Sequence, residues 1–195
     1  MVGCNKRSAL HHWLYKHAAQ CPLVIAPYAG YQSVLSKERI LSIDRLDFDQ
    51  MSEGDLTELV VGQVPEGLRI DYKRDLYGNS DADKREVLKD ISGFANAFGG
   101  HLIIGIEEQN GLPVSIAGVA GENPDEVVLR LEQIARTGLE PRVQGLRVLA
   151  IPLSNGSYCF VIRIPRSWHP PHRVAAQNSN RFWIRNSGGT HEASV

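Results

Sequence analysis

Residues 101 to 106 read His-Leu-Ile-Ile-Gly-Ile, and this run limits the fold more than any other in the chain. It is strand-length and continuously apolar, with Gly99 and Gly100 before it and Glu107 and Glu108 after it. A strand with no polar face has nothing to turn to water, so "HLIIGIEE" must be an inner strand covered on both sides. Gly105 inside it asks for another backbone or a large side chain lying close.

The neighbouring segments supply the covering layers. Upstream, Asp83 and Glu86 form a helix-start pattern. Val87, Leu88, Ile91, Phe94 and Ala95 then recur at helical spacing, and Gly99-Gly100 stops the helix. Before it, "GLRIDYKRDL" alternates Leu68, Ile70 and Tyr72 with Arg69, Asp71 and Lys73, which is a strand with one wet face. Downstream, "QNG" turns the chain into the short strand "LPVSIAG". In "NPDEVVLRLEQIARTG", Asn123 caps a helix, Pro124 opens it and Gly138 ends it. A hairpin of "GLRVLAIPL" and "YCFVIRIP" follows, then a loop and a last strand, "RFWIRNSGGT". Strands and helices in this order predict an α/β (α+β) fold, a mixed sheet with helices packed on it. Ser52 and Asp55 start a short helix that opens this domain, residues 52–195. Residues 1–51 read as an N-terminal extension, since Pro22, Pro27 and Gly30 break any regular pattern there.

Twenty-one basic against 22 acidic residues leave a net charge of -1, so any affinity for a polyanion or a membrane must come from a local patch. Cys4, Cys21 and Cys159 are odd in number and far apart, which predicts reduced thiols and a cytoplasmic protein. The apolar stretch "CPLVIAPYAGY" is too short to span a bilayer. Cys4, His11, His12, His17 and Cys21 fit no standard zinc spacing.

Three groups of residues carry possible chemistry. Glu66, Asp71, Glu107 and Glu108 stand near the ends of two neighbouring strands. Three converging carboxylates would hold a divalent ion, with Lys73 neutralising a phosphate; the alternative is a solvated sheet edge. Glu66 and Asp71 differ by five, so a bend at Gly67 is needed to bring them together. The second group crowds the last 35 residues or so: Arg163, Arg166, His169, His172, Arg173, Arg181 and Arg185 with Trp168 and Trp183. Arginine interleaved with aromatics suits a polyanion with exposed bases, and equally suits ordinary sheet residues. The third is glycine. "GGHLIIGI" lacks the phosphate-loop spacing, and "NSGGT" is a surface turn or a small anion nest.

Several pieces in order resemble the Schlafen/AlbA-type domain, a domain described as DNA-binding and formerly as a divergent AAA-type region. They are "EGLRIDYKRDL", "ISGFANAFGGHLIIGIEEQNG", "VSIAGV", "EPRV", "VIRIPRSWHPPH" and "RFWIRNSGGT". The resemblance implies a nucleic-acid-binding domain that contacts RNA or DNA phosphates through Lys73, Arg163, Arg181 and Arg185 on one face. Its alternative is a metal-dependent endoribonuclease. In animal Schlafen nucleases two carboxylates lie five apart before the lysine and a third follows the glycine-containing strand. The matching positions are Glu66, Asp71, and Glu107 or Glu108, with Mg2+ or Mn2+ as the ion. Asp71 is one methylene shorter than the family's usual glutamate. ATP binding is a third reading. The tandem lobes of the animal proteins further imply a two-fold homodimer here.

Overall fold

The computed structural model describes residues 47–176 and 179–193. The chain order is α1 (Glu53–Val61), β1 (Ile70–Lys73), α2 (Asp81–Ala95), β2 (Gly100–Ile104), β3 (Ile106–Gln109) and β4 (Leu112–Ile116). It continues with α3 (Pro124–Gly138), β5 (Leu139–Glu140), β6 (Arg147–Pro152), β7 (Tyr158–Ile164), β8 (Arg173–Val174), β9 (Arg181–Asn186) and β10 (Gly189–Glu192). This is the α+β architecture expected. Cys4, His11, His12, His17 and Cys21, and most of the predicted extension, lie outside the described residues.

A central mixed sheet runs β1-β2-β7-β6. β1 and β2 pair in parallel, and β2–β7 and β7–β6 pair antiparallel. The apolar run does form an inner strand. Leu102 and Ile104 join Phe160 and Ile162 in a core with Val87, Leu88, Ile91 and Phe94 of α2 and Val127 and Leu131 of α3. Ile103 faces the other way, into a second core with Ile70, Tyr72, Val161, Leu56 and Leu59. Phe48 and Met51 belong to this second core too, so the packed unit begins upstream of the Ser52 boundary.

A second, antiparallel sheet runs β10-β9-β8-β5 and lies against the far side of α2. That helix is therefore covered from two directions. Its last six residues, Asp90–Ala95, are all buried, and a Cβ on Gly93 would stand 2.6 Å from the Thr190 methyl of β10. A helix buried all round at one end is what a two-sided packing demands.

Three expectations need correction. The cap of α2 is Ser80, whose side chain accepts from the Asp83 amide, so the helix starts at Asp81 and Asp83 is its third residue rather than its cap. "HLIIGIEE" is not one strand. Gly105, at φ +100°, breaks it, sending β3 into a separate hairpin with β4. A Cβ at Gly105 would meet Cys159 Sγ at 2.8 Å and Gly118 Cα at 3.3 Å, the close approach its position asked for. Finally, "RFWIRNSGGT" turns back on itself, so β9 is followed by β10. The Ser52–Asp55 start holds: the Asp55 carboxylate accepts the Ser52 amide at 2.9 Å. So does the Asn123 cap, which accepts from Asp125 and Glu126.

Candidate nucleic-acid interface

The acidic residues gather at the open edge of β1. Glu66 precedes the strand, in a turn closed by Gly67 N–H to Ile70 O at 3.0 Å and tied to Gly111 by Glu66 N–H to its carbonyl at 2.8 Å. The five-residue parity problem disappears because Glu66 is not on the strand. Its Oε1 accepts the Tyr72 amide at 2.8 Å, giving the outward-facing edge donor a partner. Tyr72 itself points into the second core, its hydroxyl donating to Val64 O at 2.9 Å.

Asp71 points the opposite way, toward α2, and is buried. Its Oδ1 accepts from Arg185 Nη2 at 2.8 Å. Its Oδ2 makes no aligned hydrogen bond but lies 2.7 Å from Lys73 Nζ, so charge rather than a directional bond compensates it. Burial works against the Lys73 ammonium, yet Asp71 foremost, then Asp90 and Glu66, hold its pKa above the usual lysine value. Burial raises the Asp90 carboxyl against the opposing pull of Lys73 and of the Tyr77 hydroxyl, which donates to it at 2.7 Å.

Of the two glutamates on β3, Glu107 accepts from Ser115 Oγ at 3.1 Å and Glu108 accepts the Gly111 amide at 2.7 Å. The pairing register shifts between them, and it is the Glu108 charge that reaches Glu66. Glu66, Asp71 and Glu107 do not form a metal centre. Among the described residues no group of three or more His, Cys, Asp or Glu is arranged to hold an ion. Both oxygens of Asp71 already face cations, and one of Glu66 faces an amide. A Mg2+ or Mn2+ ion does not fit this arrangement.

The four expected phosphate contacts do not share a face. Arg185 is 4% exposed. It donates to Gly67 O at 2.7 Å, Ile70 O at 3.1 Å and Thr190 Oγ1 at 3.2 Å, besides Asp71, and its guanidinium lies 4.3 Å from the Phe94 ring centroid. It is not available to a phosphate. Arg163 shares strand parity with Cys159 and Val161 of the second core, so it emerges on the side away from α2, 5.9 Å from the Phe48 ring. Lys73 is about one-third exposed and bound to Asp71. Arg181 alone is well exposed, pairing at 3.0 Å with Glu192.

Arg181 opens onto a cleft of about 630 Å3 between α2 and β9. Arg85, Glu86 and Lys89 line it from the helix, and Ser179, Arg181 and Trp183 from the strand side. Arg85 and Lys89 are four apart and so share a helix face; Arg181 and Trp183 are two apart and so share a strand face. Lys89 Nζ sits 5.7 Å from the Trp183 ring centroid and pairs with Glu86. Arg85 has no ion pair with any described residue. Three cations face one carboxylate in the lining. Sequence reasoning found Arg181 and Trp183 but passed over Arg85 and Lys89. Their signal was "KREVLK", a basic i,i+4 pair on the helix flank beside the apolar stripe.

The profile of the Schlafen AlbA_2 family matches residues 66–194. No curated protein matches the chain. Among solved structures, the chain is similar to the DIP2311 protein of Corynebacterium diphtheriae at 17% identity and a TM-score of 0.45, over 72% of this chain and 27% of that one. It is also similar to the N-terminal domain of a Nitrosomonas europaea protein described as ATP-dependent DNA helicase RecG-related. There the identity is 19% and the TM-score 0.46, over 82% of this chain and 93% of that domain. The chain thus spans about a quarter of the length of the diphtheria protein.

Proposed function

We propose that this chain, which belongs to the Schlafen AlbA_2 family, binds nucleic acid by holding backbone phosphates in the cleft between α2 and β9. One observation carries the reading: Arg85, Lys89 and Arg181 converge there beside the Trp183 indole, in a protein whose net charge is only -1. Guanidinium groups suit phosphate oxygens, and the indole fixes the lysine over its face. Glu86 adds one negative charge to the lining and pairs with Lys89. Lys73 and Arg163 take no part, and Arg185 serves the fold. RNA and DNA are both within this proposal, and a two-fold homodimer, which would double the cleft, stays part of it. An endoribonuclease reading gains nothing from the arrangement of the acids, and an ATP reading nothing from the glycines.

Fluorescence anisotropy with labelled single-stranded and duplex oligonucleotides tests this across a salt series. Three phosphate contacts predict that log K falls against log salt with a slope of about -2 to -3. Arg85→Ala and Arg181→Ala should each flatten that slope by about one unit. A slope unmoved by both substitutions places the contacts elsewhere.

A further inference from the structure

The carboxylates beside β1 are built to hold a cation, and the chain brings its own. We infer that the Arg185 guanidinium is the resident cation of this pocket, that it clamps the β9–β10 hairpin onto the open edge of β1, and that the pocket takes no divalent ion.

The geometry assigns each guanidinium nitrogen a task. Nε donates to Gly67 O, Nη1 to Thr190 Oγ1, and Nη2 to both Ile70 O and Asp71 Oδ1. Gly67 and Ile70 close the turn that carries Glu66. Ile70 O is an outward carbonyl of the edge strand, and Glu66 covers the outward Tyr72 amide beside it. Arg185 and Glu66 therefore finish the edge of the sheet from its acceptor and donor sides. Thr190 lies on β10, directly opposite Arg185 in the hairpin register, and packs over Gly93 of α2. One side chain thus joins the hairpin, the edge strand and the buried helix.

A divalent ion would need carboxylate oxygens at roughly 2.0–2.6 Å. To reach Asp71 it would have to displace Arg185 from Oδ1 or Lys73 from Oδ2. Displacing Arg185 would leave it buried against Phe94 as a charge without a counterion, and displacing Lys73 would set a divalent cation against the buried guanidinium across one carboxylate. An exposed lysine can swing to water, but an arginine held by three further acceptors under a hairpin cannot.

The inference does not rest on nucleic-acid binding, and its test contains none. The full chain, stripped with chelator, is unfolded thermally with and without millimolar Mn2+ or Mg2+, and metal binding is followed separately by titration calorimetry. The expected result is an unmoved Tm and no heat of binding. Asp71→Asn and Arg185→Met should each lower Tm by roughly 10 °C, since the first leaves the buried Arg185 without its carboxylate and the second leaves the buried Asp71 with only Lys73 against it. The double variant should fall by clearly less than the two shifts added, because it removes both buried charges. Hydrogen exchange at residues 181–192 should speed up in both single variants while α3 stays protected. A metal-induced rise in the wild-type Tm, calorimetric binding of Mn2+, or additive single shifts would each overturn the inference. The two wild-type measurements decide it even if a variant does not fold.

Discussion

Glu66 has a carboxyl raised above its ordinary value of 4.5, chiefly by burial, with Asp71 and Glu108 adding to the shift and the Tyr72 amide and Lys73 opposing it. An acid raised on folding binds its proton more tightly in the folded state, so stability falls as pH climbs from the unfolded pKa through the folded one. Glu66→Gln keeps an acceptor for the Tyr72 amide and removes the half-buried charge. It should match or exceed wild-type Tm at neutral pH and lose part of the decline that starts near pH 4.5; a large drop in Tm would show that the carboxylate charge itself is needed. The sequence disclosed which residues were polar but not which polar face was covered. In "RFWIRN" the arginines and aromatics are legible, and they suit a polyanion-binding surface and ordinary sheet residues equally. The face of Arg181, Trp183 and Arg185 turns inward onto α2, where Arg185 is buried, Trp183 is half-buried in the cleft wall and Arg181 is exposed. Strand parity fixes which residues go together and says nothing of what lies above them.

At the level of the elements, α2 supports both halves of the account. Its buried end carries Phe94 under Arg185, and its exposed start carries Arg85 and Lys89 into the cleft. Ser80 holds that start, accepting the Asp83 amide at 3.1 Å while Asp83 accepts the Ser80 amide at the same distance. Ser80→Ala should cost about 1 kcal/mol in urea unfolding. If the cleft is the binding site, the fraying should also weaken oligonucleotide binding, whereas Asn123→Ala at the start of α3 should cost similar stability and leave binding unchanged. The helices were the most legible elements, because caps and apolar stripes are local: α3 runs from Pro124 to Gly138 as its residues indicated. The break at Gly105 was less so. Its need for a close neighbour was readable, but that the neighbours would be Gly118 and Cys159, and the strand would leave the sheet there, depends on contacts distant in the chain.

Across the whole molecule, acid and base are sorted into two places with different work. The pocket at the edge of β1 balances Asp71 with Arg185 and Lys73 and holds the second sheet in position. The cleft at the other end of the same helix keeps an excess of positive charge open to solvent. No helix of the described residues is long and apolar enough to cross a membrane. With the chain close to neutral overall, binding must depend on that local excess and not on the general field of the protein. Charge reversal tests this most directly. Arg85→Glu in the cleft and Arg142→Glu in the loop after β5, beside α3, change net charge equally. Anisotropy at one fixed salt concentration should show Arg85→Glu weakening binding at least about tenfold, with Arg142→Glu within about twofold of wild type. Equal losses from the two reversals, or none from either, would contradict a phosphate site between α2 and β9.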